Sequence, residues 1–89
     1  MNNPILDKIK NGARIIDVRT VDEFMDGAYP GAVNIPVAEL GGRLSEIPKD
    51  ASVVLYCASG GRSAMAARMM KQAGYADVVN AGGLGDMPY

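Results

Sequence analysis

Apolar residues come in short bursts along this chain, and their spacing changes from helical to extended and back several times. Ile5, Leu6 and Ile9 share one helical face within Pro4 to Lys10, with Asn3 as a cap ahead of the proline and Gly12 just past the end, so a short helix is predicted there. Arg14 to Arg19 is an apolar run punctuated by charge and suits a buried strand whose C-terminal end reaches the surface. Thr20, with Glu23 three positions on, has the spacing of a reciprocal capping box for one or two helical turns over Val21 to Asp26, ended by Gly27. Tyr29 to Gly31 reads as a turn, and Ala32 to Ile35 as a brief extended piece before Pro36.

Val37 to Leu44 predicts a helix weakened by Gly41 and Gly42, and Ile47 to Asp50 leads into the next strand. That strand, Ser52 to Tyr56, and a helix over Ser63 to Ala73 are the least ambiguous elements. On this helix Ala64, Ala67, Met70 and Lys71 are expected on one side and Met65, Met69 and Ala73 near another, as in a helix packed tightly on a sheet; the methionines read as core rather than as ligands of a soft metal. Gly74 suits a C-cap, and Val78 to Asn80 a short strand running into Ala81, Gly82 and Gly83. Strands alternating with helices through short loops define an α/β fold, with a central, mostly parallel sheet and helices on both faces. Residues 1–89 are expected to make a single domain with a shallow, open site built from a few loops.

The chain has 89 residues, 48% of them apolar and 21% charged, with nine basic against ten acidic side chains. That near balance, with no basic cluster, gives no reason to expect nucleic acid or an anionic membrane as a partner. No apolar run approaches the roughly 20 residues of a membrane span. Without a secretory pattern in the first twelve residues the sequence reads as cytoplasmic, with a periplasmic location open if a leader precedes position 1. One cysteine and no histidine exclude an internal disulfide and a Cys–His nucleophile pair, and they argue against a zinc site, so neither metal nor cofactor is expected.

The single cysteine, Cys57, closes an apolar run and opens Ala58, Ser59, Gly60, Gly61, Arg62 and Ser63 ahead of a helix. Ligands of open α/β sheets collect at such strand ends. Gly60 and Gly61 let the loop curl with several N–H groups inward, and such a nest at a helix N-terminus binds anions and lowers a thiol pKa. A buried, inert strand-end cysteine is the plain alternative. Arg62 has two readings as well, a fork for an oxyanion or a surface arginine paired with Asp or Glu. Ser59 and Ser63 offer hydroxyls to a bound anion, while Ser63 is equally well explained as a helix cap. Asp17 and Arg19 are placed to form an ion pair that fixes the loops; Asp17 reads as structural, and Arg19 stays open between scaffold and substrate contact.

At Cys57–Ala58–Ser59–Gly60–Gly61–Arg62 the sequence resembles the six-residue active loop, Cys-x-x-Gly-x-Arg, of the rhodanese family of sulfurtransferases, in particular its small single-domain members. Ile15 to Arg19, Glu23–Phe24 through Gly27 to Pro36, and Ala81 to Leu84 resemble further signatures in the right order. Two departures stand out: Ala28 follows Gly27 where the family commonly has histidine, and no tryptophan follows the last Gly-Gly. The resemblance implies that Cys57 takes the outer sulfur of thiosulfate or another sulfane donor as a persulfide. A thiophilic acceptor, namely cyanide, a small thiol or a thioredoxin-like protein, then removes it. A non-catalytic binding or sulfur-carrier module and a cysteine phosphatase or arsenate reductase are the competing readings. Phosphatase loops place five residues between cysteine and arginine, against four here, and no acidic general-acid loop is evident, with Asp17 or Asp22 left open for that role.

Overall fold

The computed structural model describes residues 3–89 and orders them as helix α1 (Pro4–Lys10), strand β1 (Arg14–Asp17), α2 (Val21–Met25), β2 (Val33–Asn34), α3 (Val37–Arg43), β3 (Val53–Cys57), α4 (Gly61–Gln72) and β4 (Val78–Gly83). Single 3-10 turns follow α3 and β4. The four strands make one parallel sheet in the order β2-β1-β3-β4, so β1 and β3, buried at every position but Arg14, lie at its centre. Alternation along β3 divides its side chains between two layers. Val53, Leu55 and Cys57 join α3 and α4 on one face, with Leu40, Ala66 and Met70 fully covered. Val54 and Tyr56 point the other way, to Ile5 and Ile9 of α1 and to Met87. Helices therefore cover both faces, as the alternation of elements predicts. Among the described residues no helix is long and apolar enough to cross a membrane.

Local chemistry explains where the elements stop. Asn3 Oδ1 accepts from the Ile5 and Leu6 amides and starts α1; the Thr20–Glu23 capping box forms in full at the start of α2. The β1 ladder ends at Asp17, short of Arg19, because the Arg19 amide turns back onto Asp17 Oδ1 at 2.9 Å. Gly41 and Gly42 do not break α3, which runs to Arg43.

The largest departure from expectation lies at α4. It begins at Gly61, two residues before Ser63, because Gly60 takes φ 104° and its carbonyl already accepts the Ala64 amide at 2.9 Å. Ser63 is thus inside the first turn and is not the cap. The inward face also differs from the expected one: the buried stripe is Ser63, Ala66, Ala67 and Met70, whereas Ala64 and Lys71 face solvent. Met70 is buried in the core, but Met65 is exposed.

β4 also extends further than its apolar run, to Gly83, with an irregular register in which Leu55 pairs with Asn80 and Cys57 with Gly83. The strand gains this length because Gly83 has no side chain. A Cβ there would stand 2.1 Å from the Ala58 carbonyl oxygen, so only glycine lets β4 run alongside the cysteine loop.

Candidate active site

Cys57 is the last residue of β3, and the chain after it curls through Ala58, Ser59 and Gly60 into α4. Gly60, left-handed, turns its own amide to within 3.0 Å of Cys57 Sγ. One turn into the helix, the Ser63 amide lies 3.4 Å from the same sulfur and the Ser63 hydroxyl 3.3 Å from it. The inward amides expected of this loop are therefore present. The site is less open than expected: Cys57 is only 1% exposed, because these donors close around the sulfur.

Burial pushes the Cys57 thiol up, but the Ser63 hydroxyl and the amides of Ser63, Gly60 and Ser59 outweigh it and bring the thiol down to about 7. Neutral dipoles carry this shift. The Arg62 guanidinium is engaged elsewhere, with its two terminal nitrogens 2.6 and 3.0 Å from the Glu23 carboxylate oxygens. The Arg62 side chain is 37% and the Glu23 side chain 34% exposed, so water screens the pair and leaves Arg62 within reach of a ligand. Glu23 is held well below the usual carboxylate range, at about 2, by Arg62 first and then by the Thr20 amide. Arg62 in turn is raised, chiefly by Glu23 and more weakly by the charges of Cys57 and Asp17.

Asp17 and Arg19 form a different centre beside the ring. Asp17 is fully buried; its carboxylate accepts from Arg19 Nε at 3.1 Å, from Arg19 Nη2 at 2.8 Å and from the Tyr56 hydroxyl at 2.7 Å. Arg19 also donates to the Gly27 carbonyl at 2.7 Å and lies over the Tyr56 ring, 5.7 Å from its centroid. Tyr56 closes the network by accepting the Tyr29 amide at 3.0 Å. Its phenol is pushed up to about 12, by burial first, with the Tyr29 amide opposing and Asp17 adding to the rise.

This network clamps the loop after β1 to β3. It brings Asp17 and Arg19 together but leaves both turned to each other and not to Cys57. A recess of about 180 Å³ lined by Arg14, Ile16, Val33, Glu46 and Ile47 includes no residue of the cysteine loop.

Three residues of these networks carry little local mark of their role in the sequence. Tyr56 was hidden in an apolar run, Glu23 showed only its capping role, and Asn80 looked like the end of a strand. Asn80 lies 2.7 Å from the Ser63 hydroxyl through Oδ1 and 3.2 Å from the Gly60 carbonyl through Nδ2. The one signal for it was a polar residue at a strand end just before Ala81, Gly82 and Gly83.

A cysteine ringed by amide and hydroxyl donors at the C-terminal edge of a parallel sheet, where β3 turns into a helix, defines the class of α/β protein to which this fold belongs. The chain belongs to the rhodanese-like domain family, whose family model matches residues 3–85. A sulfurtransferase of Allochromatium vinosum is 44% identical over 66 residues, covering 74% of this chain and 62% of its own length. Thiosulfate sulfurtransferase PspE of Escherichia coli is 38% identical over 81% of this chain and 71% of its own. Among solved structures, a rhodanese with anions from E. coli matches with TM-score 0.81 and 35% identity, covering 85% of this chain and 92% of that one. The chain spans only 16% to 62% of the length of four other curated relatives, the Allochromatium protein included.

Proposed function

We propose that this chain transfers sulfane sulfur, with Cys57 as the nucleophile and thiosulfate as a donor. The Cys57 thiolate attacks the outer sulfur of thiosulfate, a new S–S bond forms, and the bond to the sulfonate sulfur breaks, its electron pair leaving with sulfite. Cys57 then carries a persulfide anion. A thiophilic acceptor such as cyanide, a small thiol or a thioredoxin-like protein takes the terminal sulfur and returns the thiolate, so charge and sulfur balance over the two steps.

The observation that carries this reading is the set of three donors, Gly60 N–H, Ser63 N–H and Ser63 O–H, converging on one sulfur within 3.0 to 3.4 Å. They supply an ionised nucleophile at neutral pH without a base and then a polar cradle for the persulfide charge. Arg62 at the rim is the residue for the sulfonate end, sharing its fork with Glu23. Ala58, Ser59, Gly60, Gly61 and Ser63 shape the ring, and Asp17 with Arg19 frames it. The sulfurtransferase names of the two relatives favour the same chemistry.

A phosphatase reading is weakened at Asp17, whose carboxylate is fully buried and already occupied by Arg19 and Tyr56, so it is not available to protonate a leaving group. Protein mass spectrometry before and after thiosulfate tests the proposal. The expected result is a gain of one sulfur atom on Cys57, discharged by cyanide as thiocyanate. An unchanged mass at saturating donor contradicts it.

A further inference from the structure

Asn80 touches the site from β4, is itself exposed, and has no part in the two-step scheme above. Two backbone groups fix how its carboxamide points: Oδ1 accepts the Gly82 amide at 2.9 Å, and Nδ2 donates to the Gly60 carbonyl at 3.2 Å. Flipping the group would set NH2 against N–H and oxygen against a carbonyl, so the network assigns Oδ1 to the side of Ser63.

Ser63 Oγ has one proton and is surrounded by acceptors. Asn80 Oδ1 is 2.7 Å away, the Gly60 carbonyl 3.2 Å, the Gly82 carbonyl 3.3 Å and Cys57 Sγ 3.3 Å. One proton serves one of them well. While Cys57 is a thiol, Asn80 offers the shortest contact. Once Cys57 ionises, the charged sulfur becomes the stronger acceptor, and the hydroxyl has to turn away from Asn80 to reach it.

We propose that Asn80 is a positioning residue that competes with the Cys57 sulfur for the Ser63 hydroxyl proton and so keeps the thiol from ionising at still lower pH. The thiol proton leaves to solvent, the Ser63 hydroxyl rotates, and no bond between heavy atoms changes. The consequence for turnover rests on the sulfur-transfer reading: a thiolate loses nucleophilicity as its pKa falls, and the best attacking thiol titrates near ambient pH. The charged groups around the ring are Arg62 of α4 with Glu23 of α2, Asp17 at the end of β1 with Arg19, and Asp86, whose carboxylate accepts the Gly83 amide. Replacing Asn80 leaves all of them in place.

Alkylation of Cys57 by iodoacetamide across pH reads the ionisation midpoint without any sulfur donor. One released hydrogen bond corresponds to a fall of about half a pH unit in Asn80→Ala, or about threefold more thiolate at pH 6. In a Ser63→Ala background the same replacement is expected to leave the midpoint where Ser63→Ala puts it.

If Asn80 merely props the loop, its loss loosens the amide ring and the midpoint of Asn80→Ala rises, with or without Ser63. A rise, no change, or a fall that persists without Ser63 overturns the proposal. A missing midpoint shift with persulfide intact removes the role of Asn80 alone. A missing persulfide with the shift intact removes the sulfur-transfer reading alone.

Discussion

β1 and β3 lie side by side, with Asp17 in register with Tyr56, and each ends by gathering hydrogen-bond donors around one acidic side chain. At the end of β1 the acceptor is a carboxylate and the main donor is a guanidinium, so charge meets charge out of contact with water. At the end of β3 the acceptor is a thiol, and the donors turned to it are neutral, namely backbone amides of the loop and the Ser63 hydroxyl. The first arrangement is closed, since the carboxylate has no reason to leave and nothing else to bind. The second sets dipoles around a sulfur with no counter-charge in contact with it, which suits the nucleophile proposed for Cys57. Rigidity and reactivity are thus separated by whether the counter-charge sits on the anion or one residue further out, at Arg62.

The comparison breaks most completely at Cys57. Cys57→Ser is expected to abolish persulfide formation and thiocyanate release, reducing transfer to background in a thiosulfate–cyanide assay, while urea unfolding stays near that of the parent. Asp17→Ala has the opposite profile. It leaves the buried Arg19 unpaired and is expected to cost about 3–5 kcal/mol in urea unfolding, a large share of a small domain's stability.

Arg62→Ala sharpens the contrast from the other side. Its pair with Glu23 is exposed, so the melting temperature is expected to hold, whereas kcat/KM for thiosulfate falls about tenfold through loss of a charge-assisted contact. The cyanide step is expected to change little. With Arg62 gone, the Glu23 carboxyl returns upward from about 2, which an NMR titration of its side chain detects.

Ser63 is expected to change the ionisation of Cys57 and not the binding of the donor. Removing its hydroxyl in Ser63→Ala takes away the leading donor that opposes burial at Cys57, so the thiol midpoint rises. With no more than about one pH unit at stake, alkylation at pH 6 slows by up to about tenfold.

The order of elements and the parallel sheet were legible because β1 and β3 are apolar runs flanked by short helical patterns, and Asn3 and Thr20 mark their helices locally. The cysteine loop was legible for the same reason: its glycines act on their own neighbours. The start of α4 was misjudged because serine is a common cap, whereas here the left-handed Gly60 begins the helix and sends Ser63 inward to the sulfur. Tyr56, Glu23 and Asn80 take their roles from partners 39, 39 and 17 positions away, and no local spacing encodes such contacts. The pairing of Arg62 with Glu23 was one of two open readings, since the sequence cannot say which acid folds beside it.

Neutral donors lowering the pKa of one sulfur underlie the proposed chemistry, and titration of the unmodified protein reads that effect at Cys57 itself. Since the folded-state thiol titrates below its unfolded value, the stability it contributes is present above the ordinary thiol pKa and is lost as pH falls through about 7. The thiolate absorbance and the alkylation rate of Cys57 are predicted to rise together with a midpoint near 7, and the rate to fall tenfold for each pH unit below it. A midpoint at the ordinary thiol value of roughly 8.5 would contradict the central claim.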